Sequence, residues 1–313
     1  MSTPRARSPG NARMADALAI LDDGVAIYRG NVARYLIITL IWIVPFALAI
    51  LLIVAIADNG WLAFVLGVVT LMLMIPALNM WVIMLARATR MAVAGEPIRI
   101  RATFGMPAPR ALGMGCFTVL YMLVIQLIAS AFSTLFFCIV WIAGLSAIGI
   151  FANVGGAFAG LSAAVTLGGS YTLSAAISGA AAAALFHALQ PWALEDIPGG
   201  QLFGRGVDTT THRIGYNLIV WLLTGTVYAI MIAIAMVSIG IFAVIPLVDT
   251  LSTSLLNQAI VAVAWLIGFI LVVPLMPIWM TLLYTRKHNA RAGGDLGLRV
   301  ARWRATLDQP GPP

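Results

Sequence analysis

Residues 35–57 read YLIITLIWIVPFALAILLIVAIA, an uncharged apolar run somewhat longer than the roughly 20 residues that cross a bilayer core as a helix. Such a run cannot end in water or be left unpaired in lipid, so it sets the fold class: helices that satisfy their own backbone within a membrane. Pro45 sits inside it and predicts a kink that neighbouring helices tolerate. The same signal recurs along the chain. Of 313 residues, 62% are hydrophobic and 9% charged, against roughly half and a quarter in soluble domains. That excludes an ordinary water-soluble globule. Six spans would use about 120 to 150 residues, leaving room for short loops and two tails but not for a separate catalytic domain of ordinary size.

After the first span, Asp58-Asn59-Gly60 is a tight turn and Trp61 anchors a second span that includes Pro76 and runs to about Ala86, where Arg87 and Arg90 end it. Gly95 to Arg110, with Arg99, Arg101 and three prolines, reads as a basic interfacial loop. A third span covers about Leu112 to Ala143 and must tilt, bend or project. Residues 144–170 are uncharged and dense in glycine. Two readings compete there: a short re-entrant or surface helical pair on the non-cytoplasmic side, which is favoured because each half is too short to cross, or an additional irregular pair of spans.

Tyr171 to about Leu189 is the fourth span. Ser170, Ser174, Ser178 and Ala182, at steps of four, predict a flat helix-packing stripe at the centre of the bundle. A polar linker from Pro191 to Arg213 leads to a fifth span, about Ile214 to Ile239, and a sixth from about Leu255 to Tyr284, bent by Pro274 and Pro277. Before the first span, Met14, Leu18, Leu21, Val25, Tyr28 and Val32 recur at helical steps and predict an amphipathic interfacial helix over 14–33. Residues 1–13 read as a disordered basic tail and 286–313 as a basic cytoplasmic tail. The first long apolar run starts too far from the N-terminus for a cleavable leader, so the N-terminus is expected to be retained.

The formal charge is +7. With six spans, all 18 Lys and Arg residues fall on one side, and the other holds only Asp58 and Asp249. The positive-inside rule then places both termini in the cytoplasm of a bacterial inner membrane. This leaves no support for a nucleic-acid partner. The expected fold is all-α and polytopic: six transmembrane helices, an N-terminal interfacial helix, and a Gly-rich non-cytoplasmic segment between helices three and four.

Ionisable groups within spans usually mark a pathway or catalytic centre, and here they are almost missing. His187 near the end of span four reads as an interfacial or satisfied core histidine. Asn79, Gln126, Ser130, Ser133, Thr134, Thr224, Asn257 and Gln258 read as interhelical hydrogen-bonding groups unless several face one cavity. No phosphate loop, zinc spacing or nucleophile elbow is present. Three scattered histidines and two cysteines predict no metal site and no cofactor. Cys116 and Cys138 read as small buried hydrophobes. Glu195 and Asp196 are expected to cap a helix end or pair with Arg205. Arg87, Arg90, Arg99 and Arg101, with Arg299, Arg302 and Arg304 around Trp303, set topology and are candidate contacts for anionic lipid head groups.

A weak internal echo links Pro76, Trp81, Leu85, Ala92, Ala94 and Gly95 to Pro274, Trp279, Leu283, Ala290, Ala292 and Gly293. It is either a parallel repeat or shared interfacial constraint. The amphipathic helix before span one, the Gly95-Glu96-Pro97 exit of span two, the linker from Glu195 to Arg205 and the terminal Tyr284…Arg291-x-Gly293-x-Asp295-Leu296 resemble the membrane domain found with bacterial glycerophosphoryl diester phosphodiesterases, over about Asp16 to Leu298. Arg286 and His288 stand where that family usually has an acidic residue and an Arg, and Gly206 where it has Ser. Phosphodiesterase chemistry belongs there to a separate soluble barrel, so the resemblance implies a helical module that anchors, scaffolds or regulates. The expectation is a non-enzymatic scaffold or accessory subunit whose partners are membrane lipids and other membrane subunits. Two alternatives are a carrier or channel for lipids or small amphiphiles, marked by a midplane polar cavity, and an intramembrane enzyme, which would need Glu195, Asp196, His187 and His212 to converge.

Overall fold

The computed structural model describes residues 9–105, 108–152, 156–244 and 266–291. Every regular element among them is a helix, and six are long and apolar enough to cross a membrane. In chain order they are α1 (Pro9–Gly30), α2 (Val32–Ala55), α3 (Gly60–Val93), α4 (Ile100–Thr103), α5 (Ala108–Ala152), α6 (Gly156–Ala188), α7 (Gln190–Leu194), α8 (Gly199–Thr211), α9 (Ile214–Val244) and α10 (Leu275–Arg291). The spanning segments lie in α2, α3, α5, α6, α9 and in residues 266–290, where a short break at Val273-Pro274 precedes α10. The protein is a multi-pass membrane protein of all-α fold.

Side-chain packing is lopsided along the bundle. Buried residues fall in the first third of α2 (Tyr35, Ile38, Thr39), the second half of α3, the start of α5 (Met114, Phe117), the last turns of α6 and the start of α9 (Val220, Trp221). These segments share the end of the bundle that carries Arg87, Arg90, Arg110 and Arg205. The opposite half turns apolar side chains outward, as at Leu48, Val54, Phe64 and Met72. The most apolar stretch of the sixth span is 72% buried and that of α3 only 6%. The sixth span is therefore the central post, and α2 with α3 form a hairpin presented to the surroundings. In lipid this is no liability, because hydrocarbon solvates an apolar side chain as well as protein does.

Several sequence expectations need correction. The helix of the second span runs on past Arg87 and Arg90: α3 continues to Val93 and closes at Gly95, whose φ of +74° admits a Glu96 N–H bond to the Met91 carbonyl at 2.9 Å. The uncharged stretch 144–170 is no separate or re-entrant element. Residues 144–152 continue α5 and residues 156–170 begin α6. At 1.5 Å per residue α5 is about 68 Å long, over twice the bilayer core. Each half is too short to cross alone, and the chain meets this by prolonging the neighbouring span beyond what the core needs. Cys116 and Cys138 are exposed, not buried, because lipid-facing positions need no protein cover.

The amphipathic helix exists, but its seam differs. It starts at Pro9 rather than near Met14, and Met14 and Leu18 are exposed. Ala17, Ile20, Leu21, Gly24 and Tyr28 are buried. A Cβ on Gly24 would stand 2.2 Å from Trp279 Cδ1, so α1 lies close against α10 at that glycine. Trp279 Nε1 donates to the Leu21 carbonyl at 3.1 Å, and Trp81 Nε1 donates to Thr39 Oγ1 at 3.2 Å. The two tryptophans of the sequence echo thus both tie their helix to a neighbour. The neighbours are not equivalent, however: α2 for Trp81 and α1, not the fifth span, for Trp279. Residues 286–291, expected in the tail, belong to α10.

Candidate functional site

The basic end is organised around the short segment between α6 and α8. A helix leaves its last carbonyls without intrahelical partners, and α7 is barely more than one turn. Three guanidinium groups supply them. Arg110 donates Nε to Trp192 O at 3.1 Å and Nη2 to the Trp192 and Glu195 carbonyls. Arg87 Nε reaches Ala193 O at 3.2 Å, and Arg90 Nη1 reaches Leu194 O at 3.2 Å. Arg87 also donates Nη1 to Thr103 O at 3.3 Å and Gly105 O at 2.7 Å, tying α4 to the same clamp. Charged donors make the stronger class of hydrogen bond, so a five-residue helix is held by three side chains from two others, α3 and α5.

Glu195, at the end of this segment, is the second centre. Its side chain is 12% exposed and accepts Arg205 Nε on Oε2 at 3.3 Å. The Tyr284 hydroxyl donates to Oε1, and His288 Nδ1 lies 3.8 Å from that oxygen. These groups, with Thr209 and Lys287, border a cavity of about 20 Å³, room for about one water. Asp196 instead points out and meets Arg110 at 3.7 Å.

A third set of contacts docks α1 and α10. Arg286 pairs with Asp16 at 3.3 Å and with Asp23, and the Tyr216 hydroxyl donates to Asp16. Lys287 donates to Asn217 Oδ1, while Asn217 Nδ2 donates to the Thr210 and His212 carbonyls at 2.8 and 3.1 Å, covering the end of α8. Tyr28 donates to Leu271 O at 2.7 Å, and burial pushes its phenol above the ordinary value, so it stays a protonated donor.

Of the candidate lipid contacts, Arg87 and Arg90 join the clamp and line a cleft, while Arg99 and Arg101 are exposed at α4. Arg299, Arg302 and Arg304 lie outside the described residues. In the predicted stripe, Ser174 Oγ lies 3.3 Å from Ser133 Oγ on α5, and Ser170 is buried and donates to Thr166 O at 2.8 Å; Ser178, however, is exposed and Ala182 half-buried. A backbone-to-backbone helix approach falls one position on, at Gly179 against Gly225 of α9. The reason is rotational: α6 must serve α5 and α9 at once, so one stripe of four cannot face both.

His187 is buried edge-on to Trp221, ring centres 5.9 Å apart. Glu195 and Asp196 share the Arg-lined cleft, and neither His187 nor His212 lines it. Asn79 is buried and accepts from Thr118 Oγ1 at 2.8 Å, Gln126 is exposed, and Asn257 and Gln258 lie outside the described residues. Thr224 donates to the Val220 carbonyl of its own helix at 2.7 Å.

Sequence reasoning missed Arg110 as the main clamp and Asn217 as the α8 cap. Both act on main-chain carbonyls, which leave no residue-type signature; only the short polar linker hinted that its carbonyls needed partners. Gly206 has a visible cause: a Cβ there would stand 2.7 Å from Phe117 Cζ and 3.1 Å from the Ala188 carbonyl. Among the described residues, no three His, Cys, Asp or Glu side chains gather as a metal site. What the arrangement does chemically is hold eight helices, α1, α3, α4, α5, α7, α8, α9 and α10, together through charged and polar side chains. No family model matches the chain, and neither does any curated protein or solved structure compared with it.

Proposed function

We propose that this chain is a non-enzymatic scaffold or accessory subunit of a bacterial membrane complex, sited in the inner membrane with both termini cytoplasmic. The observation that carries this reading is the engagement of Glu195. Its carboxylate is met by Arg205, Tyr284 and His288, from α8 and α10, which is how a carboxylate fixes a fold rather than how it awaits a substrate. The outward-facing apolar hairpin of α2 and α3 offers membrane subunits or lipid a surface to contact. The asymmetry of basic residues supports the orientation. We also propose kinship with the membrane domain of the phosphodiesterase-associated family. Support comes from three residues carrying the resemblance: Glu195 meets both Arg205, ten positions on, and Tyr284, distant in sequence.

Crosslinking in native membranes, followed by identification of co-purified chains, tests the reading. Reproducible recovery of one or more defined membrane subunits is expected, and reproducible recovery of the protein alone would count against it. The helix break at Val273-Pro274 favours a second reading, a carrier for lipids or amphiphiles, because broken spans often line a transported substrate. Lipid or amphiphile flux in proteoliposomes made from the purified chain alone would favour that carrier over the scaffold.

A further inference from the structure

Between the end of α3 and the clamped segment lies a cleft of about 550 Å³, whose lining includes Arg87, Arg90 and Arg110 together with Glu96, Glu195 and Asp196. The volume suits a small polar molecule or a lipid headgroup. Six formal charges cancel on paper but not in space. Glu195 is turned toward Arg205, Tyr284 and His288, and Asp196 meets Arg110. Arg87 and Arg90 pair with no carboxylate among the described residues.

Both also retain donors. The hydrogen bonds of Arg87 use Nε and Nη1, leaving Nη2, and Arg90 uses only Nη1, leaving Nε and Nη2. Two guanidinium edges, one turn apart on α3, face one cavity at the end of a membrane span. Planar N–H forks match phosphate oxygens bidentately. Setting topology requires only charge in the loop; it does not require Arg87 to be half-buried in a cleft wall.

We propose that this cleft binds a phosphoryl group, carried by a phospholipid headgroup or by a small phosphate ester, with Arg90 and Arg87 as its ligands. The site goes beyond the scaffold reading and does not depend on it. The full-length protein in maltoside micelles is titrated with glycerol 3-phosphate, and in parallel with phosphatidylglycerol or digalactosyl diacylglycerol, bound molecules being counted by native mass spectrometry. Saturable binding of glycerol 3-phosphate assigns the site to soluble esters, and binding of phosphatidylglycerol without it assigns the site to a headgroup. Arg90→Gln is expected to weaken whichever binds about tenfold, the scale of one hydrogen bond to a charged group. Arg29→Gln, with the same charge change at an exposed position of α1 outside the cleft, leaves binding unchanged. Three results would overturn the proposal: no saturable binding of either phosphate probe by the wild-type protein, retention of the galactolipid as strong as that of phosphatidylglycerol, or equal weakening by the two substitutions.

Discussion

Gly179 on α6 and Gly225 on α9 meet backbone to backbone: a Cβ on Gly179 would stand 2.5 Å from the Gly225 carbonyl oxygen, and one on Gly225 would stand 2.3 Å from the Ala180 nitrogen. Neither obstacle is the end of a flexible side chain, so an added methyl must push the helices apart. Such close approaches are how helices associate in lipid, where burial itself offers little driving force. Gly225→Ala is predicted to destabilise the bundle by about 1–3 kcal/mol. Gly115→Ala on α5, where no atom lies within 4 Å of the new Cβ, should be neutral or stabilising by up to about 1 kcal/mol. Thermal unfolding of both variants in the same detergent distinguishes them, and equal midpoints would refute the contact.

Glu195 gathers the linker, α8 and α10. Removing it strips Arg205 of a partner and leaves the Tyr284 hydroxyl without its acceptor. Glu195→Ala is predicted to cost about 1.5–3 kcal/mol, as for loss of a hydrogen-bonded charge, whereas Tyr284→Phe should cost about 1 kcal/mol. The order of the two in a denaturation series is the check. A Tyr284→Phe variant as damaged as Glu195→Ala would mean that the ring, not the carboxylate, organises the cluster.

Trp279 holds α1 through its indole N–H and through its contact with Gly24. In Trp279→Phe the bond to the Leu21 carbonyl is lost while most of the apolar area remains. Hydrogen exchange should rise across residues 17–28 of α1 and stay unchanged at Trp81 and its neighbours in α3. Exchange that rises equally in both helices would show general loosening instead.

The spans were legible because length and hydrophobicity suffice to define them: residues 35–57 need no tertiary information. The pairing of Glu195 with Arg205 was also legible, being local and of opposite charge. The Arg110 clamp was not, since a main-chain carbonyl looks the same beside any residue. The contact of Tyr284 with Glu195 joins positions too distant for spacing to link them. That residues 144–152 prolong α5 and 156–170 open α6 was not legible, because each half is too short to cross alone and nothing local in the sequence says that it extends the span beside it. The α1 seam, with Ala17, Ile20 and Gly24 buried and Met14 and Leu18 exposed, was not legible, because at Gly24 the contact is with the indole of Trp279, a demand set by another helix.

In the proposed orientation the basic end of the membrane domain, with its Arg clamp and Glu195 cluster, faces the cytoplasm. This orientation is tested most directly by labelling single cysteines in intact bacterial cells with a membrane-impermeant maleimide, in a chain where Cys116 and Cys138 are replaced by Ala. Asp58→Cys, in the exposed turn between α2 and α3, should label from outside, and Thr211→Cys, exposed at the end of α8, should label only after permeabilisation. Labelling of Thr211→Cys in intact cells together with protection of Asp58→Cys would contradict the account.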